Sequence, residues 1–306
     1  MVTSRRNFIK KTGIILTASS LLPTFLSSGT HFMANERLDI SLAQWSLHRM
    51  LKKGDLKNLD FPAYTKKNFS INAVEYVNQF FKDKAKDQQY LKDLKDRSMS
   101  EGVKNLLIMI DGEGSLGVSD KKERKKAVEN HYKWVEAAQF LGCHSIRVNA
   151  YGQGEKEAVA KAVVKSLKKL SSFAKDYDIN ILVENHGGFS SDGQWLSQVM
   201  DKVNMPNCGT LPDFGNFTID RKKGEQYDRY KGVEELTPYA KAMSAKCYDF
   251  DEQGNETTID FKRMLTIVTK GGYSGYVGIE YEGKKMSEVD GVKAAKKLLD
   301  KTIKAI

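Results

Sequence analysis

From residue 38 onward, short apolar or alternating runs recur every ~25 to 40 residues with charged, helix-patterned segments between them, the signature of βα repeats feeding a parallel sheet. Eight such runs are predicted strands: LDISLAQW (38–45), INAVEYV (71–77), VKNLLIMI (103–110), HSIRVNA (144–150), INILVE (179–184), CGTLPD (208–213), AMSAKCYD (242–249) and GYVGIEY (275–281). Between them, stretches such as 121–141 and 155–176 space apolar residues three and four apart with lysine and glutamate elsewhere, as amphipathic helices do. A last helix is predicted over 287–306. Eight strands and eight helices in about 270 residues predict a (β/α)8 TIM barrel, α/β in class and a single domain over 38–306. A doubly wound open sheet would usually carry a glycine-rich phosphate fingerprint after its first strand, and LAQWSLHR (42–49) has none.

The way these runs end carries the chemistry. LVENHGG (182–188) passes from an apolar strand to Glu184, Asn185 and His186 and then to two glycines. LPDFGNF (211–217) ends on Asp213 and GYVGIEYEG (275–283) on Glu280. In a parallel barrel the active groups sit at strand C-termini and in the loops after them. Collected there are Gln44, Trp45 and His48; Glu75 and Asn78; Asp111 and Glu113; Arg147 and Asn149; Glu184 and His186; Asp213 and Asn216; Lys246, Asp249 and Asp251; Glu280 and Glu282. The rim is polar and mostly acidic, above strand interiors rich in Ile, Leu, Val and Met. Glu184, Asp213 and Glu280, at the ends of the fifth, sixth and eighth strands, would converge. Carboxylates crowded at one point raise one another's pKa, so the cluster needs a divalent cation or a positive side chain. Oxygen ligands suit Mn²⁺ or Mg²⁺, and an added imidazole widens the choice to Co²⁺, Fe²⁺ or Zn²⁺. The polar stretch 218–231 is long for a βα loop and is expected to lie over the mouth.

Composition adjusts this picture at the N-terminus. Arg5 and Arg6, followed by NFIK and the apolar GIILTASSLLPTFL, match a basic n-region and an h-region in order, and the arginine pair resembles a bacterial twin-arginine export signal. Residues 1–30 are therefore read as an export segment, with a periplasmic destination. The apolar run is shorter than the ~20 residues a spanning helix needs, so no stable membrane anchor is expected. The segment holds Arg5, Arg6, Lys10 and Lys11 and no acid, and subtracting these four from the formal charge of +10 leaves about +6. Basic and aromatic residues are not interleaved on any one element, which argues against a nucleic-acid partner. With 40% hydrophobic and 29% charged residues and only 5 prolines, the chain reads as globular with no interdomain linker. Cys143, Cys208 and Cys247 form no CxxC pair and are expected to be buried small hydrophobes.

ENHGG, LPDFGNF, SAKCYDFD and GIEYEG, set on an eight-strand barrel pattern, resemble the xylose-isomerase-like sugar isomerases and epimerases, which include the ketose 3-epimerases. The resemblance spans roughly residues 38–300. It implies that Glu184, Asp213 and Glu280 bind a divalent metal (Mn, Mg, Co or Zn) together with a histidine from the seventh strand. It also implies that Glu184 and Glu280 exchange the proton on the carbon beside the sugar carbonyl, one from each face. The seventh strand departs from this pattern: it reads Met243, Ser244, Ala245, Lys246, Cys247, Tyr248, with no histidine. If Ser244 takes that place, a metal would bind through the three carboxylates, water and His186. If Lys246 points in, its ammonium would replace the metal, because a protonated amine donates hydrogen bonds and cannot ligate, and it would serve as an acid or electrophile toward a sugar oxygen. Where the family often has a histidine three residues after the aspartate, this chain has Asn216.

The expected function is thus a divalent-metal-dependent sugar isomerase or epimerase acting on an unphosphorylated small carbohydrate. Its catalytic groups would be Glu184, Glu280 and Lys246, and its sugar contacts His186, Asn216, Glu75, Arg147, Asn149 and Trp45. Two alternatives stay open: a lyase or hydrolase that uses the same enolate chemistry on a keto-glycoside, and an exported barrel that binds sugar without turning it over. DNA-repair nucleases of the same superfamily use several histidines around zinc, and only His48 and His186 fall near this rim.

Overall fold

Eight parallel strands form the wall of a barrel: β1 (Leu38–Ala43), β2 (Ala73–Val77), β3 (Lys104–Met109), β4 (Ser145–Asn149), β5 (Asn180–Glu184), β6 (Cys208–Leu211), β7 (Met243–Cys247) and β8 (Gly275–Tyr281). The computed structural model describes residues 38–306, so the export segment read over 1–30 lies outside the described residues. Neighbouring strands pair in the order β6, β5, β4, β3, β2, β1, β8, β7. The last gap is closed by the parallel bridges Thr210–Ala240 and Asp213–Ser244. All eight sequence-predicted strands are present, each trimmed by a few residues at most.

The helices α2 (Phe61–Phe69), α3 (Gln88–Ser100), α4 (Lys121–Leu141), α5 (Lys156–Lys175), α6 (Gly193–Val203), α7 (Arg229–Leu236), α8 (Phe261–Lys270) and α9 (Glu288–Ile303) follow the strands in turn. Several start on an acid or serine cap. Asp87, Asp120, Asp192, Asp228, Asp260 and Ser287 each accept a hydrogen bond from the backbone N–H three residues on, which satisfies one of the donors a helix start leaves open. One helix is additional to the eight expected: α1 (His48–Lys53) follows β1 and stops at Gly54, whose φ of 85° ends it in the left-handed region. Among the described residues no helix is long and apolar enough to cross a membrane.

Alternation along the strands sorts the side chains into two sets. Leu42, Val74, Ile108, Ile146, Val148, Ile181, Val183, Val277 and Ile279 belong to the large core between sheet and helices. The opposite parity faces into the barrel and is far less apolar. Ala43, Val77, Leu107, Met109, Leu182, Leu211 and Ala242 form a small inner cluster. The rest of that parity supplies Ser41, Glu75, Arg147, Glu184, Asp213, Ser244, Lys246 and Glu280, all buried. The sequence expectation of an apolar interior with charge only at the rim is therefore corrected: the Ile and Val side chains point outward, and polar groups extend down the barrel axis.

The stretch 218–231 is ordered rather than a plain loop. Thr218–Asp220 pairs antiparallel with Glu225–Gln226, and this hairpin packs on the 3-10 turn Gly188–Ser191 that follows β5.

Candidate active site

Glu184 closes β5, Asp213 follows β6 at its bridge to Ser244, and Glu280 stands next to last in β8. Apolar β-formers upstream set each strand, and the acid arrives at inward parity as the strand ends. One carboxylate oxygen from each of the three lies within 4.8 Å of the other two, and all three residues are buried. That spacing has the reach of a metal site, since carboxylate–metal bonds run ~2 to 2.6 Å.

The register of β7 against β8 pairs Ser244 with Gly278 and Lys246 with Glu280. Ser244 and Lys246 are two residues apart, so both face the cluster, and the choice the sequence left open becomes a division of labour. Lys246 Nζ lies 2.9 Å from Glu280 Oε1, 3.8 Å from Asp213 Oδ2 and 3.3 Å from Glu282 Oε2. Ser244 Oγ donates to Asp213 Oδ2 at 2.9 Å or to Glu280 Oε2 at 3.1 Å. Asp213 Oδ1 accepts from the backbone N–H groups of Gly215 and Asn216 at 2.7 and 2.8 Å. Neither Ser244 nor Lys246 is an imidazole, and Lys246, as a protonated amine, donates hydrogen bonds and cannot ligate. The three acids could hold an ion, yet the donor set on this strand does not complete a histidine-type metal centre. His186 is not part of the cluster either: its Nδ1 is 2.6 Å from the Tyr151 hydroxyl.

Charge explains the titration of these groups. Burial pushes Glu184 up to about 7 against the pull of Arg147, and burial likewise pushes Asp213 up to about 7 against Lys246. Burial also acts to raise Glu280, but the Lys246 ammonium beside it holds this carboxyl below its ordinary range. Desolvation opposes the charge on Lys246, and Glu280, Asp213 and Glu282 outweigh it, leaving its pKa well above the usual lysine value. Burial, with Arg147 and Lys246 nearby, brings His186 down to about 4, so its imidazole is neutral near pH 7.

A cavity of about 300 Å³ opens over this cluster, with Trp45, Asp111, Arg147, Tyr151, His186 and Glu280 in its wall. Of the three converging acids, Glu280 is the one that reaches it; Glu184, Asp213 and Lys246 lie deeper. Arg147 Nε is 2.8 Å from Glu184 Oε2, and its guanidinium also bonds Asp111 Oδ1 at 2.8 Å. Glu184 Oε2 and Arg147 Nε nonetheless lack a well-aligned hydrogen bond. Asn149 reaches the cavity and donates to Asp111 at 2.7 Å, and Asn216 donates to Glu184 Oε1 at 3.3 Å. Trp45 borders the cavity with its N–H donated to Glu282, but its ring is already packed by His48 at 4.7 Å and by the Lys52 ammonium at 4.4 Å.

Glu75 is misplaced by the sequence reading. It sits mid-strand in β2, 1% exposed, hydrogen-bonded at 2.6 Å by Ser41 Oγ, and it does not line the cavity. The absent side chain of Gly278 makes room for it, since a Cβ there would come within 2.5 Å of Glu75 Oε1. A sugar contact at Glu75 is thus replaced by a buried barrel acid one layer down. Conversely, Asp111 and Glu282, collected at the rim from the sequence, do line the cavity, and Tyr151 is a cavity group that the sequence expectations do not include. Tyr151 stands two residues beyond the inward Asn149, and the two-residue period would have found it.

The family description "Xylose isomerase-like TIM barrel" matches residues 67–303. The chain belongs to that family. Among solved structures, this xylose isomerase-like barrel is similar to a 3-keto-D-glucoside 4-epimerase from E. coli, at 14% identity over 88% of this chain and 100% of the other, with a TM-score of 0.65. It is also similar to a D-psicose 3-epimerase, at 11% identity over 87% and 99% with a TM-score of 0.67. The IOLI protein with a bound zinc atom matches at 16% identity over 88% and 99%, TM-score 0.67. At these identities the likeness is one of fold. A segment of 49 residues is 43% identical to the C-glycoside deglycosidase alpha subunit of Arthrobacter globiformis. That match covers 16% of this xylose isomerase-like chain and 14% of the relative's length.

Proposed function

We propose that this barrel is an enzyme that removes a proton next to the carbonyl of an unphosphorylated sugar, as an isomerase or epimerase. The observation that carries the reading is the meeting of Glu184, Asp213 and Glu280 within 4.8 Å beneath a cavity that Glu280 reaches, in a family whose structural neighbours include sugar epimerases. At about 300 Å³ the cavity is at the small end of ligand sites, which suits a monosaccharide unit. Asp111, Glu113, Glu280 and Glu282 face it with Arg147 as counter-charge, and that balance repels a phosphate and tolerates neutral hydroxyls.

In the proposed chemistry Arg147 and Asn149 receive the carbonyl and a neighbouring hydroxyl from the cavity wall. Glu280, kept ionised by Lys246, takes the proton from the carbon beside the carbonyl. Negative charge then builds on the carbonyl oxygen, where the guanidinium of Arg147 is the nearest positive group in the wall. Glu184, pushed up to about 7 by burial, holds its proton more readily than an ordinary carboxyl, which suits it to returning one. Its turn requires Arg147 to leave the 2.8 Å ion pair that seals it.

The test is deuterium wash-in, followed by NMR, at the carbon beside the ketone of unphosphorylated keto sugars in D₂O. Glu280→Gln should lower the exchange rate by about 10² to 10⁴. Wild-type protein that binds such sugars, seen as a thermal shift, without any exchange would overturn the enzyme reading in favour of a binding barrel. A second reading, a lyase or hydrolase on keto-glycosides, is favoured by the local 43% identity to the deglycosidase subunit. It shares the proton-abstraction step and differs in expelling an aglycone, which the same samples would reveal. We also propose that residues 1–30 direct export. A periplasmic chain lacking them is the expected product, and a full-length cytoplasmic chain would refute this.

A further inference from the structure

We propose that Lys246 is the resident cation of the acid cluster, standing where a xylose isomerase-like barrel would otherwise hold a divalent ion, so that this site works without one. The placement is built into the fold. Lys246 is at inward parity in β7, in register with Glu280, and it is only 2% exposed. Its stem runs past Gly215, where a Cβ would meet Lys246 Cγ at 3.0 Å and Cδ at 3.1 Å. A side chain at Gly215 would press on that stem.

The carboxylates of Glu280 and Asp213 already face donors supplied by the protein. Glu280 Oε1 is held by Lys246 at 2.9 Å, and Oε2 faces the Ser244 hydroxyl at 3.1 Å. Asp213 Oδ1 accepts two backbone N–H groups, and Oδ2 faces Ser244 at 2.9 Å and Lys246 at 3.8 Å. An ion on Glu280 Oε1 at a bond length of ~2.6 Å or less would lie within about 5.5 Å of the ammonium, like charge facing like charge among buried side chains. The ammonium itself does not reach the cavity, so it acts as a positioning residue. It fixes Glu280 and leaves Arg147 as the positive group that faces substrate.

The inference deepens the enzyme reading, but its decisive test uses no sugar. Purified protein is incubated with Mn²⁺ or Zn²⁺, dialysed, and its metal content measured alongside its melting temperature with and without EDTA. Wild type should retain less than about 0.1 ion per chain and melt at the same temperature in EDTA. Lys246→His, which restores an imidazole to the acids, should take up about one ion per chain and melt higher as the ion concentration rises. A wild-type chain with about one tightly held ion, whose removal by EDTA lowers the melting temperature, overturns the proposal. A folded Lys246→His protein that binds no ion overturns it too, because Lys246 would then not be what excludes the metal. If that variant does not fold, the wild-type measurement decides alone. Failure of the sugar reading leaves these metal contents unchanged, so the two are told apart.

Discussion

Replacing Lys246 with methionine keeps most of the side-chain volume and removes a positive charge that contacts both Glu280 and Asp213. At an effective dielectric of ~20, a unit charge pair at 2.9 Å is worth about 6 kcal/mol and one at 3.8 Å about 4 kcal/mol. Glu282 adds less, because its side chain is 31% exposed and solvent screens it. Against this attraction stands the desolvation of the ammonium, several kcal/mol, so the gross sum is not the measured loss. Breaking a buried pair by removing one partner typically costs ~3 to 5 kcal/mol, because the remaining charges are stranded. For a barrel of this size that is a fall of about 5 to 10 °C in melting temperature. The sign with pH follows from the same groups. The folded pKa of Lys246 lies above its ordinary value of 10.5, so its stabilisation is fully present at pH 8. In the variant Glu280 loses the ammonium that held it low and joins Glu184 and Asp213, both raised to about 7. Below that pH the acids shed their charge by protonation, so the deficit should shrink between pH 8 and pH 5.5. Calorimetry at both pH values reads it directly. A deficit under about 1 kcal/mol at pH 8, or one that grows as the pH falls, would refute the counter-ion argument.

Other expectations follow from single contacts. Burial pushes Glu75 up to about 7 from 4.5, so the folded state binds the extra proton between those values and stability falls as pH rises through them, by about 3 kcal/mol in all. Glu75→Gln should therefore gain on wild type as pH rises from 4.5 to 8 in melting experiments, and a pH-independent difference would contradict it. Gly215→Ala places a methyl 2.6 Å from the Tyr248 hydroxyl and about 3 Å from the Lys246 stem. A loss of about 1 to 3 kcal/mol is expected from overpacking, and unchanged denaturant midpoints would argue that the stem yields freely. Trp45→Ala removes a charge-assisted hydrogen bond to Glu282 at the cavity wall, worth ~1.5 kcal/mol or more. A KM raised about tenfold with kcat less affected is the expected split, and an unchanged KM would place Trp45 outside substrate contact.

What the sequence could reveal was set by period and position. An acid that ends an apolar β-run is visible in one dimension, and Glu184, Asp213 and Glu280 were found that way. Ser244 and Lys246 could not be separated, because a period of two sends both the same way and only the pairing with Gly278 and Glu280 assigns their depths. Glu75 failed for a related reason. It lies two residues short of the end of β2, beside a register shift between Val74 and Glu75 against β3, so its height in the barrel depends on strand offset rather than on sequence spacing. The apolar-interior expectation failed because outward apolar residues alternate with inward polar residues in several runs, as in β4, β5, β7 and β8. Helix α1 was missed because six residues without a full amphipathic turn give little signal.

The barrel is stitched unevenly, and the unevenness falls on the acid cluster. Strands β1 and β8 run alongside each other from Leu38 opposite Gly275 to Leu42 opposite Ile279, whereas β6 and β7 meet only through the isolated bridges at Thr210 and Asp213. The amide protons that close this seam, on Lys241, Phe214 and Ser244, should be the first strand amides to trade with deuterated solvent, since sparse pairing lowers the cost of local opening. Each such opening would carry Asp213 away from Ser244 and loosen the cluster without unfolding the cylinder.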